Sequence, residues 1–256
     1  MRLIGRAIQL VSLSLMVAAC GRKGALLYPD MLVPAAPTVI AAQQSGSTVK
    51  LQFTLPDKDR AGRSLKGITG VKISRRTAET DPKGACRSCM ADYQLVSTQY
   101  LDHLPAATQR FGNRLILIDS DVVAGNYYSY NVVPFTADGV DGASATSVDA
   151  HVYSPMSAPV LKAESSPGEI VLHMDIQPPV VGRLLGFNLY RTSGAGARPF
   201  QPLNREPLKG NEFVDSALNR GVRYHYSARI LVAQPTGVVL ESAESNEVEG
   251  MLKDDE

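Results

Sequence analysis

The chain reads as all-β, built from two tandem antiparallel sandwiches, and three observations lead there. The first is an internal repeat. Ile118-Asp119-Ser120, Gly125, Tyr128 and Tyr130 recur as Val214-Asp215-Ser216, Gly221, Tyr224 and Tyr226, each 96 residues later. Gly70-Val71-Lys72-Ile73-Ser74-Arg75 recurs as Gly186-Phe187-Asn188-Leu189-Tyr190-Arg191 at a spacing of 116, and Val49, Leu51 and Phe53 recur as Ile170, Leu172 and Met174 at 121. A shifting offset means one structural unit used twice with loops of different length. The second observation is period two: apolar residues alternate in these segments, which buries one face of a strand. The third is punctuation. Asp138-Gly139, Asp141-Gly142, Pro178-Pro179 and Pro235-Thr236-Gly237 separate the runs, and no long stretch shows a capped 3.6 periodicity. Two units of ~100 residues also match the usual domain size better than one large barrel.

The first element in order is the N-terminus. Arg2 and Arg6 precede an apolar run of 12 residues from Ile8 to Ala19, which ends in Val17-Ala18-Ala19-Cys20. A basic start, a short apolar core and small residues before a cut form the layout of a secretion signal. The run is too short to cross ~30 Å of hydrocarbon as a helix. Its last four residues resemble the lipobox of bacterial lipoproteins. That resemblance implies that residues 1–19 are removed and that Cys20 carries a diacylglyceryl group and an N-acyl chain. More than one chain is needed for stable anchoring, each buried CH₂ contributing ~0.8 kcal/mol. Gly21 stands where an inner-membrane retention Asp would be, so the resemblance points to the outer membrane, facing the periplasm or the surface.

Residues 20–36 follow as a flexible tether, with Gly21, Gly24, Pro29 and Pro34 and little periodicity. Cys20-Gly21-Arg22-Lys23-Gly24, with Leu26 and Pro29, also resembles a short segment of small lipoproteins associated with outer-membrane lipopolysaccharide transport.

Composition excludes some partners. Of 26 basic residues, Arg2 and Arg6 lie in the leader, leaving 24 against 25 acidic ones. That balance argues against nucleic acid and against a purely electrostatic membrane contact. An apolar fraction of 44% is that of a folded chain.

The repeated motif then points to a family. Leu218-x-Arg220-Gly221-x-x-Tyr224 and Val122-x-Ala124-Gly125-x-x-Tyr128 resemble the Leu-x-Pro-Gly-x-x-Tyr of fibronectin type III domains, with the proline replaced in both copies. Another immunoglobulin-like subfamily is the close competitor. The resemblance implies that Tyr128 and Tyr224 are structural tyrosine corners, their hydroxyls tied to nearby backbone. The chain has no Trp, so Phe53 and Met174 stand where the family's strand-B tryptophan would be. The expected organisation is a first domain at 37–153 with an inserted loop at about 77–100, a linker at 154–159, a second domain at 160–250 and an acidic tail at 251–256. Two prolines in the joining segment predict a semi-rigid rod.

The insertion concentrates the remaining chemistry. Cys86-Arg87-Ser88-Cys89 follows the turn-rich Asp81-Pro82-Lys83-Gly84 rather than opening a helix, as a redox thiolate would want. A zinc site needs four ligands, and His103 alone lies near. In an oxidising compartment a local disulfide between Cys86 and Cys89 leads, shaping the loop more than stabilising the domain. No Gly-x-Ser-x-Gly elbow, His-Glu-x-x-His or phosphate-cradling glycine loop occurs. Asp119 and Asp215 read as turn residues after a strand. No catalytic residue, no metal and no cofactor beyond the covalent lipid on Cys20 is expected, and a small-molecule ligand is not.

These readings converge on a membrane-anchored, non-catalytic binding or scaffold module for an envelope protein. Contact is expected through the insertion, at Lys83, Arg87, Met90 and Tyr93, because binding residues concentrate on loops of rigid scaffolds. The alternatives are a carbohydrate or envelope-polymer module, which needs an exposed aromatic platform, and a transport accessory acting through the segment after Cys20.

Overall fold

The computed structural model describes residues 26–65, 67–86 and 89–254. The expected secretion signal, the expected lipidation site Cys20 and Arg87 of the insertion lie outside the described residues. In chain order the strands are β1 (Thr38–Ser45), β2 (Thr48–Thr54), β3 (Gly70–Ala78), β4 (Gln94–Tyr100), β5 (Thr108–Phe111), β6 (Arg114–Asp119), β7 (Tyr127–Phe135), β8 (Ala145–Thr146) and β9 (Ala150–His151). They continue as β10 (Val160–Ser165), β11 (Ile170–Asp175), β12 (Arg183–Ser193), β13 (Glu212–Asp215), β14 (Tyr224–Ala233), β15 (Val239–Glu241) and β16 (Val248–Gly250). Two short 3-10 turns, Pro29–Met31 and Met90–Asp92, are the helical elements among the described residues.

Period two does what the pattern requires. Val49, Leu51 and Phe53 of β2 point inward with Leu115 and Leu117 of β6, against Val71 and Ile73 of β3 and Tyr130 and Val132 of β7. Thus sheet β1-β2-β6-β5 packs over sheet β4-β3-β7-β8. The second core repeats the scheme: Leu161, Ile170, Leu172 and Met174 from sheet β10-β11-β13 meet Phe187, Leu189, Tyr226, Ala228 and Ile230 from β12 and β14. Each Val, Leu, Ile, Phe or Met among them contributes about 1.5–3 kcal/mol when fully buried. Register is kept between the copies, because Val49 pairs with Asp119 as Ile170 pairs with Asp215. The fold is therefore two immunoglobulin-like sandwiches, as the repeat predicts.

Two expectations need correction. Residues 77–100 are not one loop, since β4 pairs along β3 and only the stretch before it is irregular. Nor is all of 20–36 a free tether. Ala61 N donates to Met31 O, Arg60 N to Val33 O, Ala35 N to Lys58 O and Ala143 N to Pro34 O, at 2.8–3.0 Å. Backbone groups that pair in this way hold their segment to the sandwich.

The joint between the sandwiches is a shared sheet rather than a linker alone. β15 runs parallel to β1 with Ser45 opposite Glu241, so the outer sheets join edge to edge. Glu241 is 2% exposed and accepts from Lys50 Nζ at 2.8 Å, Ser45 Oγ at 2.6 Å, Asn188 Nδ2 at 2.7 Å and Tyr190 Oη at 3.0 Å. A second line of contacts runs from Gln109 on β5, which bonds Arg198 O at 2.7 Å and Phe200 N at 2.8 Å. Burial pushes the Glu241 carboxyl up, but the Lys50 ammonium and the Ser45 and Asn188 hydrogen bonds outweigh it and hold it below the usual range.

Removing Glu241 leaves Lys50 buried without its charge partner, which costs about 3–5 kcal/mol. Glu241→Ala is expected to lose that amount in urea unfolding and to split one transition into two. The folded-state carboxyl is depressed, so its contribution is complete above the unfolded-state value of about 4.3 and is lost as pH falls below it. Thermal melts of wild type should therefore drop below that pH more steeply than those of Glu241→Ala.

Candidate partner-binding edge

Each sandwich carries the same buried polar triad. Arg75 Nη1 donates to Asp119 at 2.9 Å and Tyr130 Oη donates to the same carboxylate at 2.8 Å. In the second copy Arg191 Nη1 reaches both Asp215 oxygens at 2.9 and 2.8 Å, with Tyr226 Oη at 2.9 Å. Asp119 and Asp215 thus end their strands as buried acceptors, and Asp119 also caps the turn that follows, its Oδ1 accepting from Asp121 N at 3.0 Å. Their carboxylates had to be paired to be buried at all. Arg75 and Arg191 also lie over the rings of Tyr128 and Tyr224. Those rings close the corners: Tyr128 Oη accepts from Val123 N at 2.8 Å and Tyr224 Oη from Asn219 N at 2.9 Å. All of these groups are engaged in holding the fold.

The insertion is different. Cys86 and Cys89 are joined as a disulfide. Cys86 O accepts from Arg76 Nη1 at 3.2 Å, and Arg76 also pairs with Asp149 at 2.6 Å and lies over the Tyr93 ring. Tyr93 itself is buried, its hydroxyl 2.9 Å from Ser129 Oγ. It is an anchor under the loop rather than a contact residue, so the expectation for Tyr93 is corrected. Lys83 is exposed and pairs with Asp81 at 3.0 Å, and Met90 is 47% exposed.

From that anchored loop the chain enters β4, an edge strand of its sheet. Leu95, Val96 and Tyr100 are about half exposed or more, at 62%, 48% and 51%. Val96 is the extra residue of a bulge, since Ile73 faces Ser97 while Ser74 faces Leu95. Edge strands are commonly guarded by charge or proline against pairing with another chain. Here β5 carries Arg110, β10 Lys162 and Glu164, β12 Arg183 and Arg191, β13 Glu212 and β16 Glu249. The seven residues of β4, Gln94 to Tyr100, carry neither charge nor proline. Sequence reasoning singled out the loop and did not single out the strand beside it, although the uncharged Leu95-Val96 pair was its visible signal.

Among the described residues no group of three His, Cys, Asp or Glu side chains could hold a metal ion, and no helix is long and apolar enough to cross a membrane. No family model matches the chain, and no curated protein does. Among solved structures the chain is similar to the chicken CNTN1 FN1–FN3 domains, at 13% identity and a TM-score of 0.34, over 87% of this chain and 68% of that one. A likeness at that level carries no functional argument, and the sandwich assignment rests on the strand pairing and the two cores.

Burial pushes the Tyr130 and Tyr226 hydroxyls far above the ordinary tyrosine range, and the Asp119 and Asp215 carboxylates add to it. A raised folded-state value contributes stability that is complete below the unfolded-state value of about 10 and is lost as pH rises past it. Tyr130→Phe and Tyr226→Phe are each expected to cost about 1–3 kcal/mol at neutral pH in urea unfolding, the cost of leaving a buried acceptor short of a donor. Each should also flatten the alkaline decline of wild type.

Proposed function

We propose that the protein is a lipid-anchored, non-catalytic binding module of the cell envelope that takes a protein partner along the β4 edge. The observation that carries this is the contrast among edges: β4 alone, of the edge strands above two residues described here, presents an unguarded backbone flanked by outward Leu95, Val96 and Tyr100. An exposed edge binds an extended segment through main-chain hydrogen bonds, and flanking side chains give selectivity. The disulfide loop and the Tyr93–Ser129 contact hold the edge in place before binding, which lowers the ordering cost of association. The lipobox supports attachment through Cys20, and the near-neutral charge agrees with a protein rather than a nucleic-acid partner.

A second reading, binding of an envelope polymer, has one observation in its favour. The Tyr127 ring stacks on His151 and the Tyr153 ring lies tilted against the same His151, each pair with centroids 4.3 Å apart, a small aromatic surface on the first sandwich. It is only partly exposed, so the β4 reading is preferred.

Crosslinking capture from intact envelopes tests the proposal. Leu95→Lys with Val96→Lys places two charges on the edge without touching either core and should abolish the captured partner while leaving the melting temperature near wild type. Capture of the same partner by both proteins would reject the β4 edge. Loss of capture by Tyr127→Ala with Tyr153→Ala, on a glycan array as well as in envelopes, would favour the polymer reading instead.

A further inference from the structure

Residues 31–35 are gripped by the first sandwich from two sides. Pro34 bridges to Asp59, and the hydrogen bonds of Met31, Val33 and Ala35 run to Ala61, Arg60 and Lys58 on one hairpin. On the other side Pro34 O accepts from Ala143 N at 2.8 Å. The hairpin is itself braced, because Asp59 is buried and accepts from Arg63 N and Arg63 Nε, both at 2.8 Å.

Apart from Asp30, what residues 26–32 present is apolar. Leu26 and Tyr28 are 82% and 62% exposed, and Leu27 and Leu32 are exposed as well. Leu32 lines a groove of about 780 Å³ with Leu65, Ile68 and Val140. A linker meant to stand in water would be expected to carry polar residues there. Half-exposed Arg60, paired with Asp30, and half-exposed Arg63 flank the patch.

Chain length says what covers it. Leu26 is six residues from Cys20 and Pro29 is nine. At ~3.3–3.6 Å per residue no path puts Leu26 more than about 21 Å, or Pro29 more than about 32 Å, from Cys20. With acyl chains on Cys20 buried in a bilayer, these side chains are kept within reach of the headgroup region. Leu and Tyr partition to that boundary at ~5–10 Å depth, and the two flanking arginines, paired with Asp30 and Asp59, leave the contact to be carried by its apolar side chains. The anchor makes this second contact intramolecular, so a weak patch suffices.

We propose that residues 26–32 are a bilayer contact that lays the gripped end of the first sandwich against the lipid surface, so the protein does not swing on a free tether. The inference rests on the proposed lipid anchor at Cys20.

The chain has no Trp, so Tyr28→Trp introduces a single reporter. The full lipidated protein carrying it is reconstituted into vesicles of phosphatidylethanolamine and phosphatidylglycerol at roughly 3:1, a mixture chosen for its anionic surface. Its emission is compared with that of the leaderless, unlipidated Cys20→Ser form in buffer. The expected result is a blue shift on vesicles, with quenching by lipids brominated near the headgroup. Adding Leu26→Ser and Leu27→Ser should lose most of the shift while the protein still co-sediments with vesicles. Co-sedimentation with an unshifted, unquenched indole reporter would overturn the contact and leave the anchor intact. A mass showing unmodified Cys20, with no co-sedimentation, would overturn both.

Discussion

One buried carboxylate governs the shape of this molecule. Glu241 leaves the second sandwich at the end of β15 and is neutralised by Lys50 from β2 of the first, with Ser45, Asn188 and Tyr190 taking its remaining hydrogen-bonding capacity. An ionised carboxylate can be 2% exposed only when such partners are in place. The donors come from β1, β2 and β12, so the cluster forms only if both sandwiches hold their relative position. The same residue's backbone accepts from Gly46 N at 3.0 Å, which locks β15 beside β1. The prolines of the linker shorten the search for this arrangement; the seam holds it.

The repeat made the two sandwiches legible, and for a physical reason. Positions shared by both copies are those that every such sandwich must satisfy: inward residues of β2 and β11, the corners at Tyr128 and Tyr224, and the Asp–Arg–Tyr triads. Asp119 and Asp215 were visible as recurrent residues at a strand end, and Asp119 does cap the turn after it. Their arginine and tyrosine partners lie on other strands, 11 to 44 residues away, where local turn chemistry does not show them. The seam was hidden for the opposite reason, because it lies where the copies differ. Lys50 corresponds to Val171 in the second copy, an alternation that period two treats only as a non-core position. Its partner lies 191 residues away, beyond any local pattern. The β4 edge was half legible: loop punctuation drew the eye to Cys86 and Cys89, while the uncharged strand after them looked like more of the same insertion. Tyr93 shows the cost of that reading, since an aromatic in an exposed loop turned out to be the loop's foot.

A single rigid body changes what the binding surfaces can do. The β4 edge belongs to the first sandwich, and so does the gripped segment that leads toward Cys20. With the second sandwich joined to the first through Glu241, the β4 edge and the N-terminal segment keep a set orientation to both sandwiches. Two loosely joined modules would spread that orientation widely.

The most direct test is backbone ¹⁵N relaxation, comparing the rotational correlation time of amides in β2, β3 and β7 with that of amides in β11, β12 and β14. A seam held by Glu241 predicts one common correlation time, that of a single body containing both sandwiches. Two shorter and unequal times would mean that the sandwiches tumble independently, and would contradict the account.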